Sequence, residues 1–247
     1  MEKWLVAMIL ATVAAAASAA DIKVLSAGAV EPGLHAFAGL AKRETGHDLK
    51  IQFNTAPQIA KRLAANEVYD ILISPPAAIE SAVKDGKVVG ESRVPVGRVG
   101  AGVIVRTGAA IPRVGTVDEL KQALLQADSV VYNTASTGLY LDRLFGKIGI
   151  LDQIKAKTTR YPDGASVMEH VIKSTGNAIG FGAITEIRMY EDKGLKLVGP
   201  LPAEVQNYTS YEAAAMSAST QQDAARAVLK LLASPAGKAA FASGGVE

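Results

Sequence analysis

The 247-residue chain has no cysteine, one tryptophan, Trp4, and three histidines, His35, His47 and His170. Without thiols there is no disulfide, no thiolate nucleophile and no cysteine-ligated metal centre. The histidines form no pair with metal-ligand spacing, so no metal site and no cofactor are expected. A charge of one sign is also lacking, since 26 Lys and Arg face 24 Asp and Glu. That balance offers no basic stripe to nucleic acid. G-x-S-x-G, H-E-x-x-H and P-loop patterns are absent, and Gly180-Phe181-Gly182 lacks dinucleotide spacing.

What is present starts with an export signal. Met1-Glu2-Lys3-Trp4 precedes an apolar run, and Ala17-Ser18-Ala19-Ala20-Asp21 puts small residues where a signal peptidase cuts. The run, Leu5 to Ala17, falls short of the roughly 20 apolar residues that cross a bilayer. Residues 1–20 therefore read as a signal peptide cleaved after Ala19 or Ala20, and no stable membrane insertion is expected. No lipobox cysteine exists for a lipid anchor. The remaining chain keeps 25 Lys and Arg against 23 Asp and Glu, is long enough for two lobes, and is expected to work in the periplasm as a monomer.

From Asp21 short apolar runs alternate with amphipathic stretches, the pattern of an α/β fold with parallel strands. Strands are expected at 22–26, 49–53 and 69–74, with helices at 31–45, 57–66 and 77–85. Residues 94–106, rich in Gly and Val, read as a strand leaving one sheet for another, with a lobe crossing near 106–111. A second unit follows. Thr116-Val117-Asp118-Glu119 is a capping box opening a helix to about 127; strands are expected at 129–132, 178–181 and 196–198, and helices at 137–148 and 166–174. A return strand at 208–216 and helices at 221–233 and 235–242 complete the chain. Lobe I is thus assigned to 21–107 and 203–247, lobe II to 108–202.

Three strand ends carry the candidate site, because ligands in open α/β sheets bind beyond the carboxyl ends of strands, where helix N-termini present free N–H groups. The first is Ser26-Ala27-Gly28, where small residues let a ligand approach the backbone or simply form a tight turn. The second is Asn54-Thr55, with Gln58 in T-x-x-Q spacing; a capping box at Gln58 is at least as good an account as ligand contact. The third is Ser136-Thr137-Gly138, with Tyr140 one turn on. N-capping by Ser136 or Thr137 and packing of Tyr140 are the plain alternatives to ligand contact. Arg98, a lone cation among small residues, is a candidate partner for a ligand carboxylate, although a solvated or salt-bridged Arg is the commoner outcome.

At these strand ends the chain resembles the molybdate-binding family of periplasmic substrate-binding proteins of ABC transporters. The resemblance rests on Val24-Leu25-Ser26-Ala27-Gly28-Ala29, on Gln52-Phe53-Asn54-Thr55-Ala56-Pro57-Gln58-Ile59-Ala60-Lys61-Arg62-Leu63, on Tyr69-Asp70-Ile71-Leu72-Ile73-Ser74, on Thr137-Gly138-Leu139-Tyr140 and on Leu232-Ala233-Ser234-Pro235-Ala236-Gly237. It implies a type II periplasmic binding protein fold, two α/β lobes closing on an anion. Two departures bear on the ligand. Ala29 stands where the family places a serine after the first strand, and Thr55-Ala56-Pro57 replaces a serine run, with Pro57 removing an N–H. Both argue against a tight tetrahedral oxyanion cage. The resemblance implies a binding protein that hands a small anion, an organic carboxylate or a molybdate-like oxyanion, to a membrane permease. The alternative it implies is an exported, cofactor-free isomerase of a tricarboxylic acid, like aconitate isomerase, which needs an acid/base group in the cleft.

Overall fold

The computed structural model describes residues 19–247. Most of the expected signal peptide lies outside the described residues, among which no helix is long and apolar enough to cross a membrane. The first half runs β1 Asp21–Ala27, α1 Glu31–Thr45, β2 Asp48–Asn54, α2 Ala56–Ala64, β3 Ile71–Ser74, α3 Pro76–Lys84 and the long β4 Val94–Arg106. The second continues α4 Val117–Gln126, β5 Ser129–Asn133, α5 Ser136–Lys147, α6 Leu151–Ile154, β6 Thr158–Tyr161, α7 Gly164–Lys173, β7 Ala178–Ala183, α8 Ile184–Arg188 and β8 Leu195–Pro200. It closes with β9 Tyr208–Ala215, α9 Gln222–Ala233 and α10 Pro235–Ser243.

Two sheets share β4. In one the order is β2-β1-β3-β9-β4, with β1 parallel to β2 and β3 and β9 antiparallel to its neighbours. In the other β4 pairs antiparallel with β7 and β8, and β7-β5-β6 run parallel. Val94 to Gly100 pair with β9, whereas Ala101 onward pair with β7 and β8. The hand-over therefore falls inside β4, ahead of the crossing expected at 106–111. Its glycines have packing reasons. A methyl at Gly102 would lie 2.9 Å from both Ile184 and Ile187 of α8, and Gly97, at φ +146° beside a register shift, has Val246 where a Cβ would go.

The cores follow the sheets. Ile22, Leu25, Phe37, Ile73 and Phe241 belong to one cluster, which takes in residues before the hand-over and the C-terminal elements. Val103, Leu120, Tyr132, Phe145 and Phe181 belong to another. In α1 the buried Gly33, Leu34, Phe37 and Ala41 recur at helical spacing, which turns one stripe to the sheet and to α10. Gly46, left-handed at φ +75°, ends that helix. Parallel strands bring the carboxyl ends of β1, β2 and β5, each followed by a helical segment, to a single cleft.

Candidate functional site

A narrow cavity lies between the lobes, with about 40 Å³ of space open to the centre of a water-sized sphere. The half built on the β2-β1-β3-β9 sheet, called lobe I, supplies Ala27, Gly28, Ala29, Asn54, Thr55 and Ala56, together with Pro75 and Tyr211; the half built on β5, β6 and β7, called lobe II, supplies Asn133, Ala135, Ser136, Thr137 and Gly164. Ala183 and Glu186 complete it from the end of β7 and from α8. None of these lining residues is a lysine or an arginine.

The hydroxyls of lobe II are open to the cavity because another residue caps α5. Asn133, the last residue of β5, accepts on Oδ1 from the amides of Ala135 (3.0 Å) and Gly138 (3.1 Å). Ser136 and Thr137 therefore serve no N-cap role; the N-cap position is Ala135. Their own N–H groups lie in the first turn and have no intrahelical acceptor. At the β2 end, Gln58 reaches back so that Oε1 accepts from the Thr55 amide at 2.8 Å. The Thr55 side chain in turn faces the Gln58 amide, so the expected capping box is present, although this second contact falls short of full hydrogen-bond geometry. Asn54 Oδ1 is buried without a hydrogen-bond partner, which is costly unless something else meets it.

Of the residues expected to hold a ligand, the structure gathers Ala27, Gly28, Asn54, Thr55, Ser136 and Thr137 around the cavity and leaves five outside its lining. Ser26 is fully buried and donates to the Ala27 carbonyl at 3.1 Å. Gln58 is occupied as a cap. Gly138 is a packing residue, since any side chain there would run into the Asn133 carbonyl. Tyr140 donates its hydroxyl to the Val205 carbonyl at 2.7 Å. Arg98 is exposed, lies 3.3 Å from Glu247 and covers the Tyr208 ring.

Two residues of this wall escape a sequence reading. Tyr211, buried on β9, keeps its proton, because burial and the neighbouring Glu186 charge both push the phenol up. It stands as a donor in the cavity. Glu186, on the five-residue α8, lies between the lobes: a methyl on Gly28 would lie 2.8 Å from Oε1, and one on Gly164 2.5 Å from Oε2. It is deep in the molecule yet retains surface toward the cavity. Among the described residues no hydrogen bond or ion pair engages its carboxyl. Burial, and then the charges of Glu31 and Asp163, push it up to about 7. The helix is tied to lobe I by the Thr185 hydroxyl, which donates to the Ala29 carbonyl. Only a short T-E pair after a glycine-rich strand marks this site in sequence, and what makes it special is the remote approach of Gly28 and Gly164.

Such a cavity can hold an anion by hydroxyls, amides and the positive ends of α2 and α5, and it holds one carboxyl that exchanges a proton near neutrality. Several known proteins share the frame. The chain is 32% identical over 239 residues to an aconitate isomerase from a Pseudomonas species, across 94% of this chain and 90% of that one. Its fold matches the periplasmic molybdate-binding protein of Azotobacter vinelandii with a TM-score of 0.75 at 16% identity, over 92% of this chain and 98% of that one. A sulfate-binding protein of Mycobacterium tuberculosis matches with a TM-score of 0.76 at 16% identity, over 92% and 86%. The family model for bacterial extracellular solute-binding proteins matches residues 22–247. The chain belongs to the bacterial extracellular solute-binding protein family and has its two-lobed type II fold.

Proposed function

We propose that this protein captures a small organic carboxylate in the interlobe cleft, outside the cytoplasm, for an ABC transporter permease. The observation that carries the reading is the lining: hydroxyls, amides and two helix N-termini converge from both lobes with no cationic side chain among them. Hydrogen bonds and dipoles then do the recognition. Ala29 and Pro57, lacking a hydroxyl and an N–H respectively, leave lobe I poor in donors for a tetrahedral oxyanion, which favours a flat carboxylate over molybdate or sulfate.

Export with removal of the leader fits the N-terminal contacts. The Ala20 carbonyl accepts from the Asp48 amide at 2.9 Å, and the Ala20 amide donates to His47 Nδ1 at 3.2 Å. A cut after Ala19 keeps both; a cut after Ala20 removes both. The mature protein is expected to begin at Ala20, to be checked by intact mass, and to run as a monomer on sizing.

A second reading is favoured by Glu186 together with the similarity to aconitate isomerase. Isomerising a tricarboxylic acid without a cofactor requires a proton to be taken from one carbon and returned to another, and a carboxyl held near pH 7 is matched to that work. Incubation with cis- or trans-aconitate in heavy water, followed by proton NMR, separates the readings. Interconversion or deuterium uptake makes the protein an isomerase. Unchanged isomers with a raised melting temperature support the carrier; no response to any tricarboxylate sinks the isomerase, and no stabilisation by any small organic carboxylate sinks the carrier.

A further inference from the structure

We infer that the cleft takes up its anion together with a proton, which comes to rest on Glu186 between Gly28 and Gly164. The inference rests on the anion-binding reading above and adds a chemical condition to it. An anion in this cavity enters beside a carboxyl that has no cationic partner, and the lining supplies no lysine or arginine to neutralise either charge. The groups facing Glu186 deepen the conflict. Glu31 at the start of α1 and Asp163 just before α7 add negative charge, and Tyr211 on β9 brings a neutral phenol. A second carboxylate within a few ångströms of an ionised one strongly raises the pKa of one of the pair. The two glycines close on the carboxyl and burial is the largest cause of its shift, so the repulsion is less screened than at the surface. Protonation resolves it twice over: the like charge disappears, and Glu186 becomes an O–H donor. The Ser136 and Thr137 hydroxyls and the first-turn amides of α5 then complete a donor set with no charge of its own.

The free carboxyl already sits near 7, so above that pH every binding event must recruit a proton from solvent. Affinity is expected to be level below pH 7 and to fall about tenfold for each pH unit above it. If the protein is an isomerase, the bound carboxyl must also ionise during turnover, so KM and kcat should rise together with pH.

The test is calorimetric titration with tricarballylate, a saturated tricarboxylate with no double bond to move, in buffers of different ionisation heat. The expected result is uptake of most of one proton at pH 8, fading toward none at pH 6, and its loss in E186Q. Carbon NMR of the glutamate-labelled wild-type protein supplies a second readout if that variant folds poorly: one carboxyl should titrate near 7 in the free protein and above 8 in the complex. Binding without proton uptake and with pH-independent affinity would overturn the inference while leaving the carboxylate reading intact, as would uptake that persists in folded E186Q. Failure of tricarballylate, both aconitate isomers and a panel of mono- and dicarboxylates to bind removes the underlying reading as well.

Discussion

Two asparagines stand at strand ends in the two lobes, Asn54 closing the edge strand β2 and Asn133 the internal strand β5, and each is followed by a helix whose N-terminus faces the cleft. Asn133 in lobe II is turned inward on its own loop, where Oδ1 gathers the Ala135 and Gly138 amides. Asn54 in lobe I has a buried Oδ1 that meets no donor, and the buried hydroxyl of its neighbour Thr55 has only the capping contact with the Gln58 amide. The same residue type at a strand end thus finishes one wall and leaves the other unfinished. Lobe II presents a preformed surface with free hydroxyls, whereas lobe I keeps an amide oxygen that has found no donor. Rigidity and appetite are divided between the halves of the cleft.

The comparison breaks most readily at Asn133. N133A orphans two buried amides, and a loss of about 3 kcal/mol, or a Tm lower by about 10 °C, is expected from thermal unfolding. If N54A costs as much, the asymmetry between the lobes is wrong. The next largest effect belongs to Glu186 and depends on pH. Its carboxyl is raised from 4.5 to about 7 on folding, so the folded chain keeps a proton that the unfolded chain releases in that window. Stability is fully present below about 4.5, falls as pH rises to 7, and is level beyond. E186Q is expected to match the parent near pH 4 and to exceed it by about 2–3 kcal/mol at pH 8; an equal difference at both pH values would contradict the assignment.

T55A should cost about 0.5–1 kcal/mol through the weakened cap of α2 and N54A less, because it deletes an unsatisfied oxygen, while both weaken carboxylate binding by about tenfold. Denaturant unfolding set beside a binding titration checks the pair, and unchanged affinity would deny lobe I its part in recognition. R98A is the smallest case. An ion pair exposed on both sides contributes about 0.5 kcal/mol or less, and ligand affinity should not move. A drop in affinity would bring Arg98 back as a ligand group.

Most of the architecture could be anticipated from periodicity. The helix over Glu31–Thr45 and the strand over Val94–Arg106 coincide with their expected bounds, and the other long elements begin or end within a few residues. Three short ones could not be: α6 and β6 have four residues each and α8 five, too few for a repeating pattern to register. The last of these carries Glu186. Likewise β9 is legible as a strand, but its insertion between β3 and β4 is a long-range pairing, and only that pairing brings Tyr211 to the cavity. At the strand ends the residues were legible and their partners were not. A hydroxyl beside a helix start reads equally as a cap or as a ligand donor. The choice was made in lobe II by Asn133, three residues upstream of Ser136, and in lobe I by Gln58, which closes a capping box with Thr55.

The Thr185 bond to the Ala29 carbonyl couples the motion of the lobes to acidity. It ties α8 to lobe I while Ile187 of the same helix is buried with Val131 and Val167 of the other half, so Glu186 sits at the seam and parting the lobes draws one glycine or the other away from it. Water then reaches the carboxyl, and the proton is held less firmly. Opening becomes an acid-releasing step and shutting an acid-consuming one even in the empty protein, so ambient pH alone biases how long the jaws stay apart.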